Sequence, residues 1–347
     1  PPTEGGSVHQ KRSRGASISE VSSTNSTEDR NRQVIRLRVF NLMKHWVENH
    51  PQDWMQDPAL NELYKDFIQN VMPKYQMEKS AAILSQLMTR KKQELDPNGR
   101  RDMRSFSVAP PPMPIYPTVP ENEELCLFQH VLPEEAARQL VILEYALFTK
   151  IKTREFLNQG WSKQDDASAS PNVKVMIKRF NQTSTWVTTE VLKGDTVADR
   201  AKRICWYIEL CQHLRKIGNY NAVMEVVSGL SASPVHRLKA TWREVPSKWK
   251  STFDSLKTLV DREKNSAALR AAISNHNPPR IPHLGMYLTD LTFAEDGNED
   301  VVAGGLIHFE KYTSLAKIIK IIMISQQTPF NLIAVDSIQE VLIAPEG

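Results

Sequence analysis

Residues 277–298 read NPPRIPHLGMYLTDLTFAEDGN and hold the most informative pattern in the chain. Three prolines and a glycine stand directly ahead of an apolar helical turn, and the helix is expected to end at Gly297-Asn298. Glu295 and Asp296 fall in its last turn, where the negative end of the helix dipole disfavours carboxylates. We interpret the segment as an exposed acidic helix tip with an apolar flank, whose carboxylates are kept for a partner.

Around this segment, apolar residues recur at helical spacing over most of residues 123–347. One helix is marked by Ala136, Leu140, Leu143, Leu147 and Ile151. Strict alternation of apolar and polar residues is almost absent, and residues 331–335 are the only fair candidate for a strand. The pattern predicts one mainly helical domain that is large enough to hold its own core.

The first 122 residues divide into three parts. Residues 1–31 consist mostly of Ser, Thr, Gly and charges, so we expect a disordered polar tail. Residues 32–92 show three amphipathic helical patterns, the second opened by Asp57 as N-cap and Pro58 at the first helical position. Residues 93–122 are rich in proline and are expected to form a stiff linker, with a ligand for SH3-type domains as the alternative.

Composition excludes several classes of function. The chain has 347 residues with 44 basic and 40 acidic side chains, which lacks the basic excess of a dedicated nucleic-acid binder. The three cysteines form no CxxC pair, and we expect neither a disulfide framework nor a metal site. The phosphate-loop, dinucleotide, zinc-protease and esterase motifs are missing, so we expect no cofactor and no covalent chemistry.

Location is predicted from what the sequence lacks. The longest apolar stretch is too short to span a bilayer. The chain opens without an initiator Met or an apolar signal core, and we interpret it as a fragment of a larger protein. We expect a cytoplasmic protein, recruited to membranes by regions outside this fragment or by its partners.

The segment at 277–298 resembles the helical hairpin of the Ras guanine-nucleotide exchange factors. Further sequence phrases typical of that family occur elsewhere in the chain, in the order in which the family has them. Those phrases are Ala137-Arg138-Gln139-Leu140 with Leu143-Glu144, Trp161-Ser162-Lys163, Ser170-Pro171-Asn172, Arg179-Phe180-Asn181, Asn219-Tyr220-Asn221-Ala222-Val223-Met224-Glu225-Val226, Ser233-Pro234-Val235-His236-Arg237-Leu238 followed by Thr241-Trp242, and Gln326-Gln327-Thr328-Pro329-Phe330. The helices at 32–92 resemble part of the Ras exchanger motif that precedes the catalytic domain in this family.

The resemblance implies an all-α fold, in which a bowl-shaped catalytic domain with a protruding helical hairpin follows a small helical Ras exchanger motif. It implies a factor that stimulates GDP release and GTP loading on a Ras-family GTPase without covalent chemistry. Exchange on Rap or Ral, or a scaffold that binds a GTPase but has lost exchange, remain the alternatives.

The resemblance also implies a set of site residues. In the hairpin, Thr292 would crowd the magnesium site of the GTPase, Asp296 would engage its phosphate loop, and Asn298 would hold the tip, while Glu295 would be the acid if the register slips by one. An apolar pocket would receive an aromatic side chain of the GTPase. The residues implied to bind the GTPase are Trp161, Ile177, Lys178, Asn181, Met224, Ser231, His236, Arg237, His283, Tyr287 and Thr289. The two histidines in this set could bring pH sensitivity.

Overall fold

The structure, a computed structural model, describes residues 19–94, 110–163 and 168–343. The chain divides into two compact units, and the boundary between them lies between Phe106 and Ser107. Helices make up nearly all of the regular structure in the described residues, which confirms the predicted all-α class. No helix in these ranges combines the length and the apolar character needed to cross a membrane.

The described residues of the N-terminal unit, 19–94, contain four α-helices. They are α1 (Ser19–Asn49), α2 (Pro51–Gln56), α3 (Pro58–Asp66) and α4 (Glu78–Glu94). The Asp57 carboxylate accepts from Leu60 N at 3.1 Å, so the predicted cap of α3 is confirmed. After α3 the chain continues as a π-helix (Phe67–Val71) and a 3-10 turn (Met72–Tyr75). Trp54 and Leu84 are fully buried in the core of this unit.

The predicted disorder of residues 1–31 is corrected in part, because α1 begins at Ser19. Residues 1–18 lie outside the described ranges. Within the helix Arg32 forms exposed ion pairs with Glu28 and Asp29, one turn earlier, at 3.6 and 3.9 Å. Such pairs at helical spacing favour a helix even where the sequence is polar on all faces.

The second unit contains twelve α-helices in its described residues. They are α5 (Leu127–His130), α6 (Pro133–Phe148), α7 (Pro171–Leu192), α8 (Val197–Ile217), α9 (Tyr220–Ser231), α10 (Ser233–His236), α11 (Lys239–Glu244), α12 (Ser247–Val260), α13 (Glu263–Asn275), α14 (Leu284–Asp296), α15 (Phe309–Ser325) and α16 (Asp336–Ile343).

Helices α6, α7, α8 and α9 enclose the core of this unit. Gly229 permits α9 to approach α7 closely, because a Cβ at this position would lie 2.6 Å from Ser184 O. Thr188 Oγ1 donates to Gly229 O across the same contact at 2.9 Å. Helices α7 and α9, which carry five of the eleven residues predicted to bind the GTPase, therefore pack in close contact along their backbones.

The strand prediction for residues 331–335 is wrong. This segment has no regular structure, and the Gln139 side chain occupies the place of a neighbouring strand by donating to Ile333 O at 2.8 Å and accepting from Val335 N at 2.9 Å. Among the described residues the strands are instead β1 (Val301–Val302) and β2 (Leu306–Ile307), which pair antiparallel between α14 and α15.

Candidate functional site

The root of the hairpin formed by α14 and α15 is fixed to the junction of α8 and α9. Ile281 N donates to Gly218 O at 2.9 Å, and Tyr220 N donates to Ile281 O at 2.9 Å. Gly218 has a φ of +96°, and a Cβ there would lie 2.5 Å from His276 Nε2, so the position requires glycine. The Arg280 guanidinium donates to Ile273 O and His276 O at 2.7 and 2.6 Å.

One side of α14 is buried and the other is exposed. Leu284, Leu288 and Leu291 lie in the core, and Asp290 on the flank forms a bidentate ion pair with Arg270 at 2.7 and 2.8 Å. Phe293, in contrast, is 72% exposed. The buried side holds the helix in place against the core, and the end of the helix lies at the surface in a fixed orientation.

The carboxylates at the end of α14 have partners within the chain. Glu295 Oε1 accepts from Asn158 N at 2.9 Å, and Asp296 Oδ1 accepts from Gln159 Nε2 at 2.6 Å. These donors offset the unfavourable helix dipole. The interpretation that both acids are reserved for a partner is therefore corrected. Asp296 is nevertheless exposed, and its carboxylate can accept several more hydrogen bonds.

Thr292 and Asn298 use their polar groups locally. Thr292 Oγ1 donates to Leu288 O at 3.0 Å, which turns the hydroxyl back onto its own helix. Asn298 Nδ2 donates to Ala294 O at 2.9 Å, and Lys311 Nζ donates to Asn298 O at 2.8 Å. Asn298 thus fastens the end of α14 to α15.

The far end of the hairpin is strongly apolar. Leu306, Ile307 and Phe309 are 66, 70 and 74% exposed. Gly304 and Gly305 turn the chain between β1 and β2 with φ of +83° and +74°. Exposed clusters of this kind commonly mark interaction sites.

An apolar cleft of about 440 Å³ lies between α7, α9 and the start of α14. Four of the predicted residues line it, namely Ile177, Met224, His283 and Thr289. Tyr287, which was expected here, is not among its lining residues and is only 4% exposed in the core. We refer to this cavity as the apolar cleft.

Among the residues that the structure describes, only His283 contributes an imidazole to the apolar cleft. Its Nδ1 is buried without a hydrogen-bond partner in the described part of the chain, and its ring lies 5.5 Å from that of Phe180. Burial, followed by the positive charge of Arg262, lowers the pKa of His283 to about 4. The side chain is therefore neutral at physiological pH, and the expected pH sensitivity does not arise at this residue.

The remaining predicted residues lie in two further clefts or outside them. Trp161, Lys178 and Asn181 line a groove of about 470 Å³ that shares Ile177 with the apolar cleft. Ser231 and His236 line a third cleft, described below. Arg237 is exposed and lines none of the three.

A buried polar network beneath the apolar cleft was not anticipated. Glu144 on α6 and Glu225 on α9 are fully buried and interact electrostatically, with Arg179 of α7 close enough to stabilise their charge. One oxygen of each carboxyl, Glu144 Oε1 and Glu225 Oε2, has no hydrogen-bond partner among the described residues. Asn219 Nδ2 donates to Glu144 at 2.9 Å, and Asn221, which also lines the cleft, donates to Glu225 at 2.9 Å. The sequence signal was present, since these residues stand in the phrases that carry the resemblance.

Burial raises the pKa of Glu144 and of Glu225, in the latter case well above its usual range, and the neighbouring Glu144 charge raises it further. We expect the pair to share one proton. A carboxyl whose pKa is raised by folding contributes stability that is complete below its unfolded pKa, near 4.3, and is lost as pH rises towards its folded pKa.

Glu225→Gln should therefore gain stability relative to the wild type as pH rises from 5 to 8. The Gln amide keeps the acceptor for Asn221 and supplies the donor that the shared proton provides to Glu144. Urea unfolding of both proteins across this range measures the difference. A difference that is flat with pH would show that the pair is not protonated in the folded state.

The described residues hold no group of three or more His, Cys, Asp and Glu side chains arranged to bind a metal ion. Cys211 is buried and donates to Val223 O at 3.7 Å, and burial raises the pKa of its thiol. The features that stand out are thus a fixed acidic and apolar hairpin and adjacent clefts, which are features of a protein-binding surface.

Comparison with known proteins agrees with this geometry. The RasGEF domain model matches residues 135–313, and the RasGEF N-terminal motif matches residues 8–69. The chain belongs to the RasGEF family. The N-terminal match shares residues 32–69 with the helical domain expected at 32–92.

Among curated relatives, the chain is 35% identical over 305 residues to Ras guanine nucleotide exchange factor P of Dictyostelium discoideum, with 88% of this chain and 19% of that protein covered. It is 38% identical over 276 residues to factor E of the same organism, covering 79% and 26%. It is 31% identical over 303 residues to Ras-specific guanine nucleotide-releasing factor 1 of Rattus norvegicus, covering 87% and 24%. The chain spans about a quarter or less of the length of these relatives.

Proposed function

We propose that this chain accelerates GDP release and GTP loading on a Ras-family small GTPase. The observation that carries the proposal is the exposed acidic end of α14, which lies on a fixed hairpin next to the apolar cleft in a chain of the RasGEF family. The activity requires no covalent step. It requires only that the chain prefers the nucleotide-free form of its partner.

The size of that preference can be stated. A nucleotide held with picomolar affinity has about 16 kcal/mol of binding free energy, so spontaneous release is slow. A partner that binds the empty GTPase about ten-thousand-fold more tightly than the loaded form offsets about 5.5 kcal/mol of this affinity. By linkage, contacts that compete with the nucleotide or its magnesium supply the preference.

We assign these contacts to the end of α14. With its hydroxyl bonded to Leu288 O, Thr292 has its methyl group left to crowd the magnesium site. Asp296 is the better candidate than Glu295 for the phosphate-loop groups, because Asp296 is exposed whereas Glu295 is partly buried against Asn158. Asn298 acts through its bonds to α14 and α15 by holding the tip in position.

The apolar cleft is proposed to receive an aromatic side chain of the GTPase against Ile177, Met224 and His283. Thr289 forms part of its wall, and Trp161, Lys178 and Asn181 extend the surface along α7. Tyr287 supports α14 from the core instead of contacting the partner directly. Ser231 at the end of α9 continues the contact, followed by His236 and Arg237.

We further propose that the catalytic domain spans residues 123–347, after a linker at 93–122. We propose an N-terminal helical domain that covers 32–92 and includes the earlier part of α1, which begins at Ser19. We place the protein in the cytoplasm, with membrane recruitment supplied by its partners or by further regions of a longer chain. The partner is Ras, with Rap or Ral as the alternatives.

A weak exchanger that acts as a GTPase-binding scaffold is a second candidate function. Both Thr292 and Asp296 are short side chains, and Gln159 already donates to Asp296. Release of a fluorescent GDP analogue from purified Ras, Rap and Ral decides among these functions. We expect acceleration for at least one GTPase. Binding of the nucleotide-free form without acceleration would identify a scaffold, and absence of both would disprove the proposed function.

A further inference from the structure

The third cleft has a volume of about 670 Å³ and lies between the end of α9, α11 and α12. Four cationic side chains line it, Lys239, Arg243, Lys250 and Lys257, against the single carboxylate of Asp254. We refer to it as the basic cleft. The whole chain has 44 basic and 40 acidic residues, so this local imbalance is not a consequence of overall composition.

The floor of the basic cleft is apolar and rigid. The rings of Trp242 and Phe253 stack at 5.3 Å with an interplanar angle of 21°, and Leu230 lies buried beside them. Trp242 Nε1 donates to Val235 O at 3.0 Å, which fixes the ring. A concave apolar floor under a cationic rim suits a ligand that combines a bulky apolar group with negative charge.

Two of the four cations are already engaged within the chain. Lys257 pairs with Asp254 at 2.7 Å, and Lys250 Nζ donates to Arg243 O at 3.1 Å. The Lys239 ammonium and the Arg243 guanidinium are exposed, and within the described residues these two charged groups form no hydrogen bond or ion pair. Solvated surface charges are the ordinary explanation of such side chains. Here, however, both stand at the rim of a cleft, where low-dielectric walls concentrate the positive potential.

The basic cleft is continuous with the surface that is proposed to bind the GTPase. Ser228 lines the apolar cleft and Ser231 lines the basic cleft, and these residues, three apart on α9, face the same side of the helix. A protein that covers the apolar cleft can therefore contact the basic cleft along the same side of α9.

We propose that the basic cleft docks an acidic segment of the same GTPase, with an apolar side chain against Trp242 and Phe253 and carboxylates beside Lys239 and Arg243. This inference rests on the proposed function. A flat anionic membrane is the weaker occupant, because it would contact the rim and leave the recessed aromatic floor uncovered.

The test compares two double charge reversals in the GDP-release assay, using the GTPase that the panel identifies. Lys239→Glu/Arg243→Glu alters the basic cleft. Lys150→Glu/Lys202→Glu is the control with the same change of charge, since both lysines are exposed and line none of the clefts. Both proteins are measured at about 50 mM and about 500 mM salt, where screening lengths differ severalfold.

We expect the cleft variant to raise KM for the GTPase about tenfold at low salt, with kcat at saturating GTPase unchanged. The difference should shrink at high salt, and the control should stay within about twofold of the wild type. Equal effects of the two variants would indicate a general charge effect and overturn the inference. A normal KM in solution with slower exchange only on GTPase tethered to phosphatidylserine vesicles would assign the cleft to membranes instead.

Failure of the proposed function is distinguishable from failure of this inference. If the wild-type chain does not accelerate GDP release from any GTPase of the panel, the same two variants are compared for their affinity towards the nucleotide-free GTPases. Loss of affinity in the cleft variant alone would retain the docking site on a protein that does not catalyse exchange. Unchanged affinity, or no binding by the wild type, would remove the docking site.

Discussion

Asp296→Asn is expected to slow GDP release by about 10- to 150-fold while the fold remains intact. The substitution keeps the shape of the side chain and the acceptor for Gln159, but it removes the negative charge. A charge-assisted hydrogen bond contributes about 1.5–3 kcal/mol, and each 1.36 kcal/mol corresponds to a factor of ten in rate. The side chain is exposed, so little stability should be lost.

The measurement is kcat/KM for GDP release, with thermal unfolding as the check on folding. Glu299→Gln is the matched control, because it removes another exposed carboxylate three residues further on. Glu295→Gln should have a smaller effect than Asp296→Asn, since Glu295 is bonded to Asn158 N. The reverse order would transfer the catalytic role to Glu295, and full activity of both variants would remove the acidic tip from the mechanism.

Arg179→Met is expected to lower the free energy of unfolding by about 3–5 kcal/mol. Arg179 is the cation beside the buried carboxyls of Glu144 and Glu225, and the substitution leaves their charge without compensation in a low-dielectric core. Since α6, α7 and α9 meet at this network and Asn221 joins it to the apolar cleft, GTPase binding should weaken in parallel.

Urea unfolding at pH 7 measures this loss. The triple variant Arg179→Met/Glu144→Gln/Glu225→Gln should recover most of it, because replacing a whole buried ionic group costs far less than removing one member. A loss below about 1 kcal/mol for Arg179→Met would show that the carboxyls are fully neutral without the arginine. An unrecovered loss in the triple variant would point to a packing role for the arginine stem.

The helical fold could be predicted because its signals are local. Asp57-Pro58 opens α3 through a side-chain bond to Leu60 N, and the apolar spacing from Ala136 to Leu147 falls within α6. The order of family phrases then identified the family, and that identification is confirmed by the RasGEF match. These features depend on residues within a few positions of one another or on whole motifs.

The errors have two causes, a local departure from helical geometry at His283 and contacts between distant parts of the chain. His283 and Tyr287 are four residues apart and were expected to share one pocket. His283, however, is the N-cap of α14 with φ −67° and ψ 107°, so helical spacing does not relate its direction to that of Tyr287. The donors to Glu295 and Asp296 lie 137 positions earlier, and Gln139 binds the segment that had been predicted as a strand. Periodicity carries no information about such partners.

Ile281 is hydrogen-bonded to both Gly218 O and Tyr220 N, so the base of the hairpin is fixed to the rest of the domain. A hairpin that is already ordered before binding loses little conformational entropy when it contacts a partner, because that entropy was lost during folding. In the proposed encounter the exchanger therefore keeps its shape, and the loops that enclose the nucleotide are the parts that must yield.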